Sequence, residues 1–151
     1  MASDMNQPLI LFLCTGNYYR SRFAEIWFNH RAEEYGCGWR AQSRGIAVDL
    51  GINNIGPLSP HTRKGLVERG IALPATLASP RQLQEVDLVS AQHVIAVKES
   101  EHRSLLVERF PGWDARVEYW EIDDIDCAHP DIALPQLENH LKQLLVRKQN
   151  R

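Results

Sequence analysis

The chain has 151 residues, 44% of them hydrophobic and 24% charged, with a formal net charge of -2. These are the proportions of one ordinary globular domain with a real core, and without a basic excess they argue against a general binder of nucleic acid or of membrane surfaces. No apolar run approaches the ~20 residues that span a bilayer, and Met1 to Gln7 has neither the positive start nor the apolar stretch of a secretion signal.

The expectation is therefore a cytoplasmic protein, monomeric or weakly dimeric, with one domain over residues 1–151 and a flexible tail over 1–7. Three cysteines, Cys14, Cys37 and Cys127, form no C-x-x-C pair, so neither a disulfide framework nor a zinc site is expected. The six histidines are scattered and have no ligand spacing with those cysteines.

In chain order, residues 9–14 read as a buried strand, a continuous apolar run with β-branched and aromatic content. Residues 21–35 read as a helix whose apolar side carries Phe23, Ile26, Trp27, His30 and Tyr35, with Glu25, Arg31, Glu33 and Glu34 toward water. A second strand is expected over Trp39–Ser43 and a Gly/Asn/Pro-rich loop over 44–60. Ser59-Pro60 has the form of an N-cap followed by proline at the first helical position, opening a helix to about Arg69. Ser79-Pro80 repeats that signal, for a short helix near 80–86. A strand over His93–Val97, a helix over Glu99–Phe110, a short strand over Arg116–Trp120 and an acidic loop over Ile122–Pro130 follow. The last helix, 131–148, has the stripe Leu134, Leu137, Leu141, Leu144 and Leu145. Strands alternating with helices predict an α/β, three-layer arrangement: a four-stranded parallel sheet with helices on both faces. Ligands of such sheets sit at the carboxyl ends of the strands.

Cys14 stands at one such end. The run Cys14-Thr15-Gly16-Asn17-Tyr18-Tyr19-Arg20-Ser21 has the form Cys-x5-Arg-Ser. Gly16 and Asn17 tolerate positive φ, which lets successive N–H groups turn inward around an anion. A helix N-terminus adds unpaired N–H groups and a partial positive charge. Arg20 can hold two phosphoryl oxygens at once, and Ser21 can donate its hydroxyl to the sulfur. The same field favours the thiolate, the form a phosphate-transferring cysteine needs. Gly, Asn, Arg and Ser at four set positions after a cysteine arise by chance about once in 10^5.

On these residues the chain resembles the low-molecular-weight protein tyrosine phosphatase family, whose members carry Cys-x-Gly-Asn-x-x-Arg-Ser between first strand and first helix. Phe23-Ala24-Glu25 extends the match, and Ser43-Arg44-Gly45 looks like the family's Ser-Ala-Gly, which would make Ser43 a support for Asn17. Glu121-Ile122-Asp123-Asp124 falls where the family has its acidic segment. The resemblance implies a phosphocysteine mechanism on Cys14, with Arg20 and the N–H groups of residues 15–20 binding the phosphoryl oxygens and Asp124 as general acid. It implies no cofactor or metal, and a phosphorylated protein or small aryl phosphate as substrate, bound along Thr15, Gly16, Asn17, Tyr18, Tyr19 and Ser21.

The chain also departs from the pattern. Tyr19 occupies the place of the family's frequent second cysteine, and Arg22 that of a common proline. No proline follows Asp124, so Asp123 and Asp126 compete with it, Asp126 being the next choice. Two other readings are an arsenate reductase on the same scaffold, for which Cys37 and Cys127 do not offer the paired downstream cysteines of thioredoxin-linked reductases, and a non-catalytic phosphate or phosphoprotein binder.

Overall fold

The computed structural model describes residues 7–149. The tail expected over residues 1–7 therefore falls, except for Gln7, outside the described residues. Four parallel strands form one sheet in the order β2-β1-β3-β4: β1 Leu9–Cys14, β2 Arg40–Gly45, β3 His93–Ala96 and β4 Glu118–Tyr119. The helices are α1 Arg20–Glu34, α2 Pro60–Glu68, α3 Glu85–Ser90, α4 Glu99–Arg109 and α5 Pro130–Gln149. Among the described residues no helix is long and apolar enough to cross a membrane.

β1 is buried at every position because it has a neighbour on each edge and helices on each face. Its side chains alternate. Ile10, Phe12 and Cys14 join the core under α1 and α5, while Leu11 and Leu13 join Leu88 of α3 and Leu106 of α4 on the other face. The period of two thus fixes the face that carries the Cys14 thiol. The chain leaves β1 first toward β2 and later returns to β3 on its other side, so Cys14 ends the strand at which the order reverses, where crevices form in open α/β sheets.

Several details differ from the expected elements. α1 has no single wet face. Phe28 is fully buried, His30 is only half-buried and Tyr35 is exposed, because the sheet, α2 and α5 enclose the helix on three sides. β2 runs on to Gly45, and the 44–60 loop contains a 3-10 turn at Val48–Gly51. The expected fourth strand shrinks to Glu118–Tyr119, with a 3-10 turn taking up Arg116.

The helix expected at 80–86 is absent there. Backbone bonds from Gly45 N–H to Arg81 O (2.8 Å) and from Leu83 N–H to Gly45 O (2.8 Å) hold residues 81–83 extended beside the end of β2. α3 begins only at Glu85, where Gln84 and Asp87 form a reciprocal capping box. Ser59 does cap α2, accepting from His61 N–H at 3.1 Å, with Pro60 at its first turn.

The outer edge of the sheet is held by charge. Glu118 lies 2.8 Å from His93 Nε2, accepts from Trp120 Nε1 at 2.8 Å and from Arg147 Nη2 at 3.2 Å. The His93 bond, partly opposed by burial and helped by Trp120 and Arg147, holds its carboxyl at about 2. A depressed carboxylate contributes stability above its unfolded value and loses it as pH falls through the folded one. Urea unfolding of wild type and Glu118→Gln should therefore differ most above about pH 5 and converge by about pH 2; a gap that does not narrow in acid would show that Glu118 is not held this way.

Candidate active site

The segment between β1 and α1 turns sharply at Asn17. Its φ of 53° is the only positive value at a non-glycine position among the described residues. Such a conformation costs a side chain energy unless local bonds hold it, and here the side chain supplies them. Nδ2 donates to Ser21 Oγ at 3.0 Å and to Ser43 Oγ at 2.9 Å, while Oδ1 accepts from Arg81 N–H at 2.9 Å. The Arg81 bond fixes which end of the amide is oxygen, so both serines must accept from the nitrogen.

Each serine hydroxyl proton is then free for another partner. That of Ser43 goes to Glu25 Oε1 at 2.5 Å. That of Ser21 is left for Cys14 Sγ, 2.9 Å away, a donation that suits a thiolate. Ser43 therefore lies where the sequence sets it, against Asn17. Glu25, expected to face water, instead anchors Ser43. Gly16 does not use positive φ; the left-handed position falls on Asn17 alone.

Among the described residues the N–H groups of residues 15–20 bond to no backbone carbonyl, and the side chains of Thr15, Asn17 and Ser21 are engaged within the protein. What Thr15 and Asn17 offer an anion is thus their backbone N–H.

Arg20 is 2% exposed. Its Nη1 donates to Ile122 O at 2.9 Å and Glu101 Oε1 at 3.2 Å, and its Nη2 donates to Glu101 Oε2 at 2.9 Å and lies 3.5 Å from Asp124 Oδ2. Nε is buried with no hydrogen-bond partner among the described residues. A buried orphan N–H is costly, and an anion oxygen in the loop would relieve it. Burial disfavours the Arg20 charge, but Cys14, Glu101 and Asp124 together keep it firmly cationic.

Glu101 gave no signal in the sequence, since it sits in the charged helix α4 with nothing to mark it. It also accepts from Thr15 Oγ1 and lies 3.2 Å from His102 Nε2. Burial opposes its charge, yet the close approach of His102 and the bonds from Arg20 and Thr15 hold its carboxyl far below the usual range. His102 is wholly buried, and burial lowers its pKa. Its Nδ1 accepts from Lys98 N–H at 3.1 Å, so Nε2 carries the hydrogen.

Cys14, Arg20 and Asp124 line one cavity of about 310 Å³, walled by Gly16, Tyr18, Tyr19, Asn54, Ser59, Pro60, His61 and Ile125. The three competing aspartates are separated by geometry. Asp123 is paired with Lys98 Nζ at 2.7 Å, Asp126 is exposed and outside the cavity lining, and Asp124 is in it. Tyr18 donates to Ile55 O at 2.6 Å and so straps the 44–60 loop onto the pocket. The Tyr19 phenol is buried without a hydrogen-bond partner among the described residues, and its pKa is pushed up to about 12, by burial first and then by Asp124. Neither Cys37 nor Cys127 lines this cavity. Among the described residues no group of His, Cys, Asp and Glu could hold a metal ion.

A thiol and a buried arginine sharing a cavity beneath a loop of free N–H groups belong to the phosphoryl-transferring hydrolases of the α/β class. The comparisons narrow this. A sequence profile described as low molecular weight phosphotyrosine protein phosphatase matches residues 9–147. The chain belongs to that family of hydrolases. It is 34% identical over 126 residues to a protein-arginine-phosphatase of Bacillus subtilis (strain 168), covering 83% of this chain and 78% of that one. Among solved structures, a low molecular weight protein tyrosine phosphatase from T. tengcongensis superposes with a TM-score of 0.71 at 27% identity, covering 91% of this chain and 95% of that one. The YwlE arginine phosphatase from Geobacillus stearothermophilus gives 0.73 at 25% identity, with 95% and 94% covered.

Gly45 sets how closely β2 approaches the loop. A Cβ there would lie 2.8 Å from Thr15 O, 3.0 Å from Asn17 N and 2.6 Å from Val48 Cγ2. Backbone cannot yield as a flexible side chain can, so Gly45→Ala should cost about 1–3 kcal/mol in urea unfolding and also weaken phosphate binding. Gly38→Ala, with nothing within 4 Å of the added carbon, is the control; equal behaviour of the two would refute the close-approach account.

Proposed function

We propose that this protein hydrolyses phosphorylated side chains of proteins, with phosphotyrosine as the first candidate, through a phosphocysteine on Cys14. The observation that carries the reading is the unpartnered Arg20 Nε in a cavity shared by Cys14 and Asp124. A phosphoryl group seated on the N–H groups of residues 15–20 would take up that orphan donor. The Cys14 thiolate attacks phosphorus, the P–O bond to the leaving group breaks, and Asp124 gives its proton to the departing oxygen. Water then attacks the phosphocysteine, Asp124 accepts its proton, the P–S bond breaks and phosphate leaves. Arg20 and the loop N–H groups stabilise the charge on the three equatorial oxygens in both steps. Ser21 steadies the thiolate as it forms and as it leaves.

The reading of Asp124 as the acid rests on its lying 3.5 Å from Arg20 Nη2 while Asp123 is paired with Lys98 and Asp126 faces solvent. The aromatic walls Tyr18 and Tyr19 suit an aryl phosphate. A second reading, phosphoarginine, is favoured by the 34% identical arginine phosphatase. There the P–N bond breaks and the departing guanidine nitrogen receives the proton. An arsenate reductase finds less support, since an oxidised Cys14 would meet no second thiol in the cavity.

The test is turnover of p-nitrophenyl phosphate, a phosphotyrosine peptide and an arginine-phosphorylated protein without added metal. Cys14→Ser should lose at least about a thousandfold in kcat and Asp124→Asn about a hundredfold on phosphotyrosine. Asp126→Asn should stay near wild type. Hydrolysis that survives Cys14→Ser would sink the mechanism, and a kcat/KM at least about tenfold higher on phosphoarginine would transfer the substrate assignment to the second reading.

A further inference from the structure

The guanidinium of Arg20 has two faces to offer an oxyanion, the end-on pair Nη1 and Nη2 and the side-on pair Nε and Nη2. The end-on face is occupied. Nη1 and Nη2 both meet the Glu101 carboxylate, at 3.2 and 2.9 Å, and the second Nη1 hydrogen goes to Ile122 O. Nε, unpartnered among the described residues, and the outer side of Nη2, which faces Asp124 Oδ2 at 3.5 Å, remain toward the cavity. Glu101 also accepts from the Thr15 hydroxyl, so one carboxylate from α4 grips both ends of the Cys14–Ser21 loop. Behind it stands the buried His102, its Nε2 3.2 Å from Glu101 Oε2 and its other nitrogen held by Lys98 N–H.

Resting on the phosphatase reading above, we infer that Glu101 is a positioning residue. It takes the end-on face of Arg20 and thereby commits the side-on edge to the phosphoryl group. Without it, a lone arginine in the cavity could turn its fork to Asp124 or to the anion end-on, and the equatorial oxygens of the transition state would meet misaligned donors. Positioning of this kind acts on the five-coordinate state more than on a bound tetrahedral anion. Charge acts in the opposite sense. Glu101 brings a negative charge beside an anion site, so its removal relieves repulsion toward a ground-state anion. The two effects separate the role of Glu101 from that of a merely structural contact.

The experiment is calorimetric binding of inorganic phosphate, which is tetrahedral, and of orthovanadate, which expands to five ligands on a thiolate. Wild type, Glu101→Gln and Glu101→Ala are compared, with thermal melting of each. Glu101→Gln keeps the shape and one hydrogen bond, so it carries the test if the alanine variant melts early. The expected result is vanadate weakened by about tenfold or more, in the order wild type, Gln, Ala, while phosphate stays within about threefold or binds more tightly. In turnover kcat should fall with KM little changed. Vanadate within about twofold of wild type in both variants, or both anions weakened alike, would overturn the assignment. Failure of wild type to bind either anion would instead strike the phosphatase reading itself.

Discussion

The three bonds of the Asn17 side chain are the constraint on which the rest depends. A single amide holds a left-handed turn, orients two serine hydroxyls and reaches the extended segment beyond β2 through Arg81 N–H. Because the amide nitrogen has two hydrogens and no lone pair to offer, it leaves each serine with one proton to give. One goes to a carboxylate, the other toward sulfur. The direction of the whole relay thus follows from the donor inventory of one asparagine. The turn in turn leaves the loop N–H groups without carbonyl partners, and an anion site is what such a backbone is suited to make.

Charge around Arg20 is arranged with similar economy. One buried guanidinium faces a thiol, two carboxylates and a carbonyl. An uncompensated charge at that depth would be untenable, and Glu101 and Asp124 supply the compensation from two different elements. They differ in what they leave open. Glu101 is held from three sides, whereas Asp124 is partly exposed and touches Arg20 only at ion-pair range. The firm hold on Glu101 keeps it a carboxylate.

Much of this was legible in the sequence, for identifiable reasons. The loop motif was readable because its requirements are local: positive φ at Asn17, a cation at Arg20 and a hydroxyl at the helix start. The stripe on α5 was readable because a long helix against a core enforces its period, and all five of its leucines are buried. The α1 face was misread because three neighbours enclose the helix, and no window of sequence reports how many partners a helix will have. Ser79-Pro80 carried a genuine start signal, but the hydrogen-bonding needs of the edge of β2 outweighed it. Glu101 was invisible for the same kind of reason. Its importance comes from meeting Arg20, which lies 81 positions away in the chain.

The strap from Tyr18 to the carbonyl of Ile55 separates two jobs that the cavity combines. The cradle beneath it is fixed by Asn17, Ser21, Ser43 and Glu101, all pointing inward. The collar above it is a glycine- and asparagine-rich ribbon with Ile52 and Ile55 turned outward, fastened by a side chain on one end and a backbone oxygen on the other. Any residue can supply that oxygen. The ribbon can therefore change its sequence without disturbing its fastening, and the lip of the cavity can diversify while the cradle below it stays put.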